Sequence, residues 1–393
     1  MKELLILCNK FPFPPRDGSS IAMASNIRGL LSAGAKLTVI ALNTDKHYVE
    51  NPESQVPEGI EWHIHPVNTT PSILGALSNL CFSSRSYMVS RFDIEEVREM
   101  VKRAIKKREY DAAIVDGLFM MPYADELKSA GIPIVLRAHN VEHHIWNRQI
   151  QQETSPLKKW YLNIQNTRLE KYEVAACGQS DSIVAITQED AKWFAKCSTP
   201  VHVMPCGIQP NSYPEYGSKE PDVFHIGAMD WIPNVDGIRW FAQKVWPEIL
   251  KRDAQAVFHL AGRDSDTLNL HQPQRGFFVE GRVESASDFY AKHGIFVVPL
   301  LAGSGMRIKV MEALAYGKAI VGTRVAVEGI PIENGVHAYI ADRPEDFAIA
   351  VIKLIQDAGE RERLGHEARK LAMRIFDENK LAEDLLNRLP TRK

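Results

Sequence analysis

Short apolar, β-branched runs separated by amphipathic segments repeat along the whole chain, and that alternation leaves few architectures open. Leu4–Leu7, Leu37–Leu42, Ala112–Val115, Ile132–Leu136, Ser182–Ile186 and Val201–Met204 read as strands. In Ile21–Ala33 the residues Ile21, Ala24, Leu30 and Leu31 fall near helical spacing, and Gly34 is a suitable stop. The polar stretch Gln209–Pro221, with its prolines and a glycine, reads as a linker, after which the same grammar restarts. Val223–Ile226, Ala256–Leu260, Phe277–Val279, Ile295–Leu300, Ala319–Val321 and Ala338–Ile340 are the second set of strands, with helices over Val235–Lys251 and Met306–Tyr316. The expectation is an α/β protein of two doubly wound domains, residues 1–208 and 209–374, with a last helix at about 375–393 crossing back to the first. Domains of this kind bind ligands at the C-terminal edges of their strands, so a cleft between facing sheets is the expected site.

Composition narrows the class of partner. The 393 residues carry a net charge of −2, so the basic footprint of a duplex-binding protein is missing and no nucleic acid is expected. Cys8, Cys81, Cys177, Cys197 and Cys206 are scattered without a CxxC, which fits reduced thiols in the cytoplasm. The apolar run in Met1–Leu7 is too short for a signal peptide, and no stretch reaches the ~20 apolar residues that span a bilayer. Membrane contact is therefore expected to be peripheral, at the inner face.

The most informative stretch runs from Pro299 to Gly317. A buried strand gives way to Ala302-Gly303-Ser304-Gly305 and then to a helix. Gly303 and Gly305 allow the backbone close to a ligand, and the free N–H groups there suit a phosphate. Arg307 and Lys309 oppose the helix dipole, a placement that a bound diphosphate would compensate. Glu312 can accept two hydroxyl hydrogen bonds, such as a ribose offers. A glycine-rich turn alone is common in α/β proteins, and Glu312 alone could be a surface residue; the combination after a strand carries the weight.

This segment resembles the donor-binding helix of glycosyltransferase family 4, a retaining family with the GT-B fold of two Rossmann-like domains. Members often carry two glutamates separated by seven residues; the second matches Glu312, and the first falls on Ser304, where this sequence departs from the pattern. The variant from Gly303 to Ala315, with Val327-Glu328-Gly329-Ile330 downstream, resembles a subset found in polysaccharide biosynthesis. The resemblance implies donor binding by Gly18, Asn234, Gly303, Ser304, Gly305, Met306 and Glu312, with His139, Arg307 and Lys309 as catalytic residues. Gly18 lies in the Pro-rich loop Phe11–Ser20, and His139 follows the strand Ile132–Leu136. Many members place an Arg and a Lys after the first strand of the second domain. Gly227–Asn234 has neither, so Arg307 and Lys309 are expected to supply that charge.

No metal or other cofactor is expected. His143 and His144 lack the HExxH spacing, and the aspartates of Asp264-Ser265-Asp266 suit a surface turn. Lys102, Arg103, Lys106, Lys107 and Arg108 form either a solvated helix face or a contact for anionic lipid, while Arg361, Arg363, Arg369 and Lys370 look like plain helix charges. The implied function is transfer of a sugar from a nucleotide-sugar donor to a glycan, lipid-linked or small-molecule acceptor. Alternatives are a nucleotide-sugar epimerase of the same fold and a non-catalytic nucleotide-sugar-binding subunit. An NAD(P) oxidoreductase is disfavoured because no GxGxxG follows the first strand.

Overall fold

The computed structural model describes residues 1–209, 212–303 and 306–392. The chain divides into two compact units, one of Met1–Gly207 with the chain from Glu378 onward, the other of Ile208–Asp377.

The first unit is built on a 7-stranded, all-parallel sheet. Its strands are β1 (Glu3–Cys8), β2 (Lys36–Thr44), β3 (Ile60–Val67), β4 (Ala112–Asp116), β5 (Ile134–Ala138), β6 (Ser182–Ala185) and β7 (Val201–Val203), in the order β3-β2-β1-β4-β5-β6-β7. Successive residues of a strand point to opposite faces, and both faces are covered. Leu5, Leu7, Ala113 and Val115 pack on one side, Leu4, Ile6, Ala112 and Ile114 on the other.

The second unit holds a 6-stranded parallel sheet of β8 (Val223–Ile226), β9 (Phe258–Ala261), β10 (Phe277–Gly281), β11 (Ile295–Val298), β12 (Ala319–Gly322) and β13 (Tyr339–Ile340), ordered β10-β9-β8-β11-β12-β13. Each sheet thus reverses direction of winding once, between β1 and β4 and between β8 and β11. Such switch points leave a crevice beyond the strand C-termini, because the helices that follow the two strands depart to opposite faces.

Every strand expected from the sequence is present, and β3 was missed. It is an edge strand of alternating polar and apolar residues with Pro66 inside it, and Pro cannot donate to a ladder. Its Trp62 packs edge-on against Phe11 and Phe13 and so anchors the loop after β1. The expected helix Val235–Lys251 is broken by a π turn at Phe241–Val245, and the expected helix Met306–Tyr316 starts at Ile308.

The reading of Arg361 and Arg369 as plain helix charges is overturned. Arg361 is buried and donates to the carbonyls of Ser218, Lys219, Leu354 and Ile355. It thereby satisfies the open carbonyls at the end of the helix Pro344–Gln356. Arg369 donates to Tyr213 and to Ala315, the last residue of the helix Ile308–Ala315.

The helix Glu378–Arg388 returns to the first unit, where Ala382, Leu385 and Leu389 complete one face of the core. It crosses the helix Gly18–Ser32 at Gly29, where an added Cβ would lie 2.5 Å from the Glu378 carbonyl oxygen. Arg28 closes the crossing with an ion pair to Glu378 at 3.1 Å. Gly29→Ala is therefore expected to destabilise the chain by roughly 1–3 kcal/mol, read as a lower midpoint in urea unfolding. A change below about 0.5 kcal/mol would show that this crossing is not tight.

Candidate functional site

In the second unit the two loops at the switch point are Gly227–Trp231 after β8 and Pro299–Arg307 after β11. The side chain of Lys309, on the first turn of the helix Ile308–Ala315, reaches back to the end of β8. Its Nζ donates to Asn234 Oδ1 at 2.8 Å and lies 3.4 Å from His225 Nε2. Asn234 is held in turn by donation from Nδ2 to the Ala228 carbonyl. His225 places Nδ1 2.8 Å from the Val297 carbonyl, so Nδ1 carries the proton and Nε2 presents a lone pair to Lys309. Burial, then the neighbouring Lys309, holds the imidazole well below its usual pKa, and it stays neutral. An ammonium has three donors. Asn234 and His225 account for two of these directions among the described residues.

Two glycines make this geometry possible. A Cβ on Gly227 would sit 2.5 Å from Lys309 Nζ. Gly303 has φ +140, a conformation open to glycine, and its Cβ would come within 2.9 Å of an Arg307 guanidinium nitrogen and 3.3 Å of the Trp231 ring. Arg307 is the N-cap residue of the helix, buried, with its guanidinium 3.4 Å from the Val325 carbonyl and 4.0 Å from the Glu328 carboxylate. Arg307 thus caps the helix that carries Lys309, and half-buried Met306 precedes them. Ser304 and Gly305, expected to add backbone N–H groups, lie outside the described residues.

Glu312 follows one turn beyond Lys309 and accepts a hydrogen bond from Tyr213. Burial pushes its carboxyl up to about 7, against the pull of Lys309 and Tyr213. Burial, reinforced by Arg307 and opposed by Glu312, brings Lys309 down to about 7. Beneath them the Tyr290 hydroxyl donates to the Lys309 carbonyl, and its ring stacks on Tyr316.

In the first unit Gly18 and His139 lie beyond the C-terminal ends of β1 and β5. Gly18 opens its helix behind Asp17, which caps it and pairs with Lys10 at 2.6 Å. His139 Nε2 contacts Asp116 Oδ1 at 2.5 Å, and Arg137 reaches the same oxygen at 3.2 Å. Burial would raise Asp116, but the Arg137 guanidinium and His139 hold it below the usual carboxylate range. His143, set aside as a metal ligand, bonds Glu173 at 2.6 Å. The Asp264–Asp266 segment forms a turn with Asp264 at φ 60.

Sequence reasoning did not find Asp116, His225 or Tyr213. The signal for Asp116 was present: Arg137 interrupts an apolar strand, and a buried guanidinium needs an acid. Tyr213 falls in the linker and carries no local pattern.

The pair Glu312 and Lys309 sets a pH signature for the ligand-free chain. Glu312 is raised from 4.5 to about 7, so its contribution to stability is present below pH 4.5 and lost as pH rises through 7. Lys309 is lowered from 10.5 to about 7, so its contribution is present above pH 10.5 and lost as pH falls through 7. Thermal melts of the wild type and of a Glu312→Gln, Lys309→Met variant should therefore differ in pH dependence. The wild type should be least stable relative to the variant near pH 7, and parallel curves would refute the assignment.

Comparison with known proteins bears on both units. A model described as Glycosyltransferase Family 4 matches residues 16–212, half of the chain, and one described as Glycosyl transferases group 1 matches residues 220–357. An uncharacterized 44.6 kDa protein in the cps region of Klebsiella pneumoniae is 19% identical over 97% of this chain and 98% of its own. Among solved structures, a TarM mutant of S. aureus in complex with fondaparinux, alpha-GlcNAc-glycerol and UDP superposes with a TM-score of 0.66 at 11% identity, covering 98% of this chain and 99% of that one. HepE of Anabaena in complex with UDP and glucose gives 0.62 at 14%, covering 98% and 99%. Sucrose-phosphate synthase of Thermosynechococcus elongatus gives 0.68 at 14%, covering 98% of each chain. The architecture is the GT-B fold. With that fold, and with the family model spanning half its length, the chain belongs to glycosyltransferase family 4 and is a glycosyltransferase.

Proposed function

We propose that the chain is a retaining, metal-independent transferase that moves a sugar from a nucleotide-sugar donor to a glycan or lipid-linked acceptor in cell-surface polysaccharide synthesis. The observation that carries this reading is Lys309, half-buried beside Arg307 at the switch point and held there by Asn234 and His225. Such a site favours a dianionic leaving group over a neutral ligand, because a bound anion favours the charged form of Lys309. The UDP in the TarM and HepE complexes supports a nucleoside diphosphate in this role. The relative in a cps region supports the polysaccharide setting.

In the proposed reaction the bond from the anomeric carbon to the diphosphate oxygen breaks as the acceptor hydroxyl approaches from the same face. The new carbon–oxygen bond forms there, and the acceptor proton passes to the departing diphosphate oxygen. Lys309 and Arg307 stabilise the charge that develops on that oxygen; losing one donor in comparable sites costs about 2.7–4 kcal/mol. Asn234 and His225 position Lys309 rather than touch the donor. Glu312 is assigned to ribose hydroxyls, and His139, oriented by Asp116, to a hydroxyl of the sugar or acceptor.

Calorimetric titration with UDP-sugars and GDP-sugars tests the site, with Arg307→Met, Lys309→Met expected to raise the donor Kd at least about tenfold. Turnover is expected to survive EDTA and to give a product of unchanged anomeric configuration in the proton NMR spectrum. An unchanged Kd would remove the cations from the site, and an inverted product would end the retaining assignment.

A peripheral membrane contact belongs to the same proposal, on a different surface from the basic helix Glu95–Lys107. There Lys102 pairs with Glu99 and Lys107 with Glu61, while the adjoining Arg108 pairs with Glu3. The helix Ile73–Phe82 instead leaves Ile73, Leu74, Leu77 and Phe82 exposed, and Asn79 pins it to Gln165 and Arg168 of the helix Pro156–Gln179. Leu157 and Trp160, exposed beside Lys159 and a Lys158 that pairs with Glu153, lie on the first turns of that second helix. Amphipathic surfaces of this composition enter the headgroup region of anionic bilayers. Leu74→Ser, Phe82→Ser should abolish co-sedimentation with phosphatidylglycerol-containing vesicles, and retention of binding would assign the contact elsewhere.

A further inference from the structure

At the opposite edge of the second sheet, Asp222, His259 and His293 come together. Asp222 immediately precedes β8, His259 is the second residue of β9, and His293 lies just before β11. The parallel register aligns the starts of these neighbouring strands, with Val223 opposite both Phe258 and Ile295. One ligand atom from each of the three side chains lies within 4.8 Å of the others. We propose that they form a binding site for a divalent first-row transition ion, zinc foremost, separate from the loops that hold Lys309.

Three observations carry the proposal. The first is an unmet need. The His293 side chain is 8% exposed, and its Nδ1 has no hydrogen-bond partner among the described residues. Asp222 Oδ2 faces it at 3.7 Å in an ion pair that lowers the Asp222 carboxyl but is longer than a full hydrogen bond. A cation between the two would satisfy both. The second is the support of His259. Its Nδ1 is taken by Glu280 Oε1 at 2.8 Å, which leaves Nε2 as the free lone pair. A carboxylate behind a ligating imidazole is the usual arrangement in zinc sites, because it fixes the tautomer and strengthens the ligand. The third is the close packing of the two rings. The His259 ring is stacked between Phe278 at 5.3 Å and His293 at 4.3 Å, and His293 is flanked by Phe224 and Phe289. The backbone of His293 is tied down by Lys318, which donates to its carbonyl at 2.7 Å.

Ligands at ~2.0–2.1 Å from zinc in a tetrahedron stand roughly 3.3 Å apart. Closing from the present spacing requires the His259 and His293 rings to turn out of their stack, because an imidazole binds a metal in its own ring plane. Two imidazoles and a carboxylate favour zinc, cobalt, nickel or copper over magnesium or calcium, which prefer oxygen. Three protein ligands leave a fourth position to water. The bound ion would pin the starts of β8, β9 and β11 to one another, so its expected effect is on the stability of the second unit rather than on sugar transfer.

The test uses the whole chain stripped with EDTA and titrated with Co²⁺ alone, followed by its visible ligand-field absorption, and then with Zn²⁺ by calorimetry. The expected result is a single equivalent, a melting temperature that rises with metal concentration, and loss of the absorption in His259→Ala and Asp222→Asn. Glu280→Gln, which removes no ligand, should weaken binding by roughly 10–100-fold and covers the case in which the histidine variant does not fold. The Arg307→Met, Lys309→Met variant should bind metal as the wild type does. Absence of Co²⁺ absorption in the wild type, or absorption that persists in the Asp222 and His259 variants, would overturn the site and leave a packing stack only. None of these readouts involves turnover, so they stand apart from the transferase proposal.

Discussion

A charged amine drawn partly out of water loses hydration that a hydrogen bond or two cannot restore, and that loss brings half-buried Lys309 down to about 7. The structure around it is arranged to hold it there. Gly227 gives it room, His225 is locked as a neutral acceptor, and Asn234 is braced on Ala228. Arg307 adds a second cation at the same helix start instead of relieving the first. On the proposed reading, an anion at the switch point would compensate Lys309. The same logic explains Glu312, whose carboxyl is raised by burial and answered only in part by Lys309 and Tyr213.

Holding such a pair in register requires a rigid frame, and the frame comes from groups far away in sequence. Arg369 satisfies the C-terminal carbonyl of the Lys309 helix, and Tyr290 supports the Lys309 carbonyl. Arg361 ties the linker to the end of another helix. Arg361 is buried among carbonyl acceptors, and half-buried Arg369 adds an ion pair to Glu215 to its two carbonyls, so both act as structural crosslinks.

The alternation of strands and helices was readable because a parallel sheet buried on both faces demands continuous β-branched runs, as in Ile295–Val298 and Leu4–Leu7. It failed at β3, an edge strand under weaker demand, where Glu61, His63 and His65 look like loop residues. In the site, the residues with a local pattern were legible: Gly303, Arg307, Lys309 and Glu312 share one turn and one helix. Those that act across the fold were not. His225 reads as one polar residue in a strand, Tyr213 as part of a linker, and Arg361 as one charge among several on a helix. A sequence reports what neighbours in the chain do together. It gives little sign of a partner a hundred residues away unless an expensive residue, such as Arg137 inside an apolar strand, demands one.

The two edges of the second sheet therefore carry opposite kinds of incompleteness. At the C-terminal edge two cations crowd one helix start. At the N-terminal edge two imidazoles and a carboxylate come together, with His293 Nδ1 and Asp222 Oδ2 3.7 Å apart. A sheet whose strands are all parallel presents strand starts along one edge and strand ends along the other, so chemistry placed at one edge does not have to compromise with chemistry at the other. That separation lets the site beyond β8 and β11 remain tuned for an anion while the strand starts accommodate a cation.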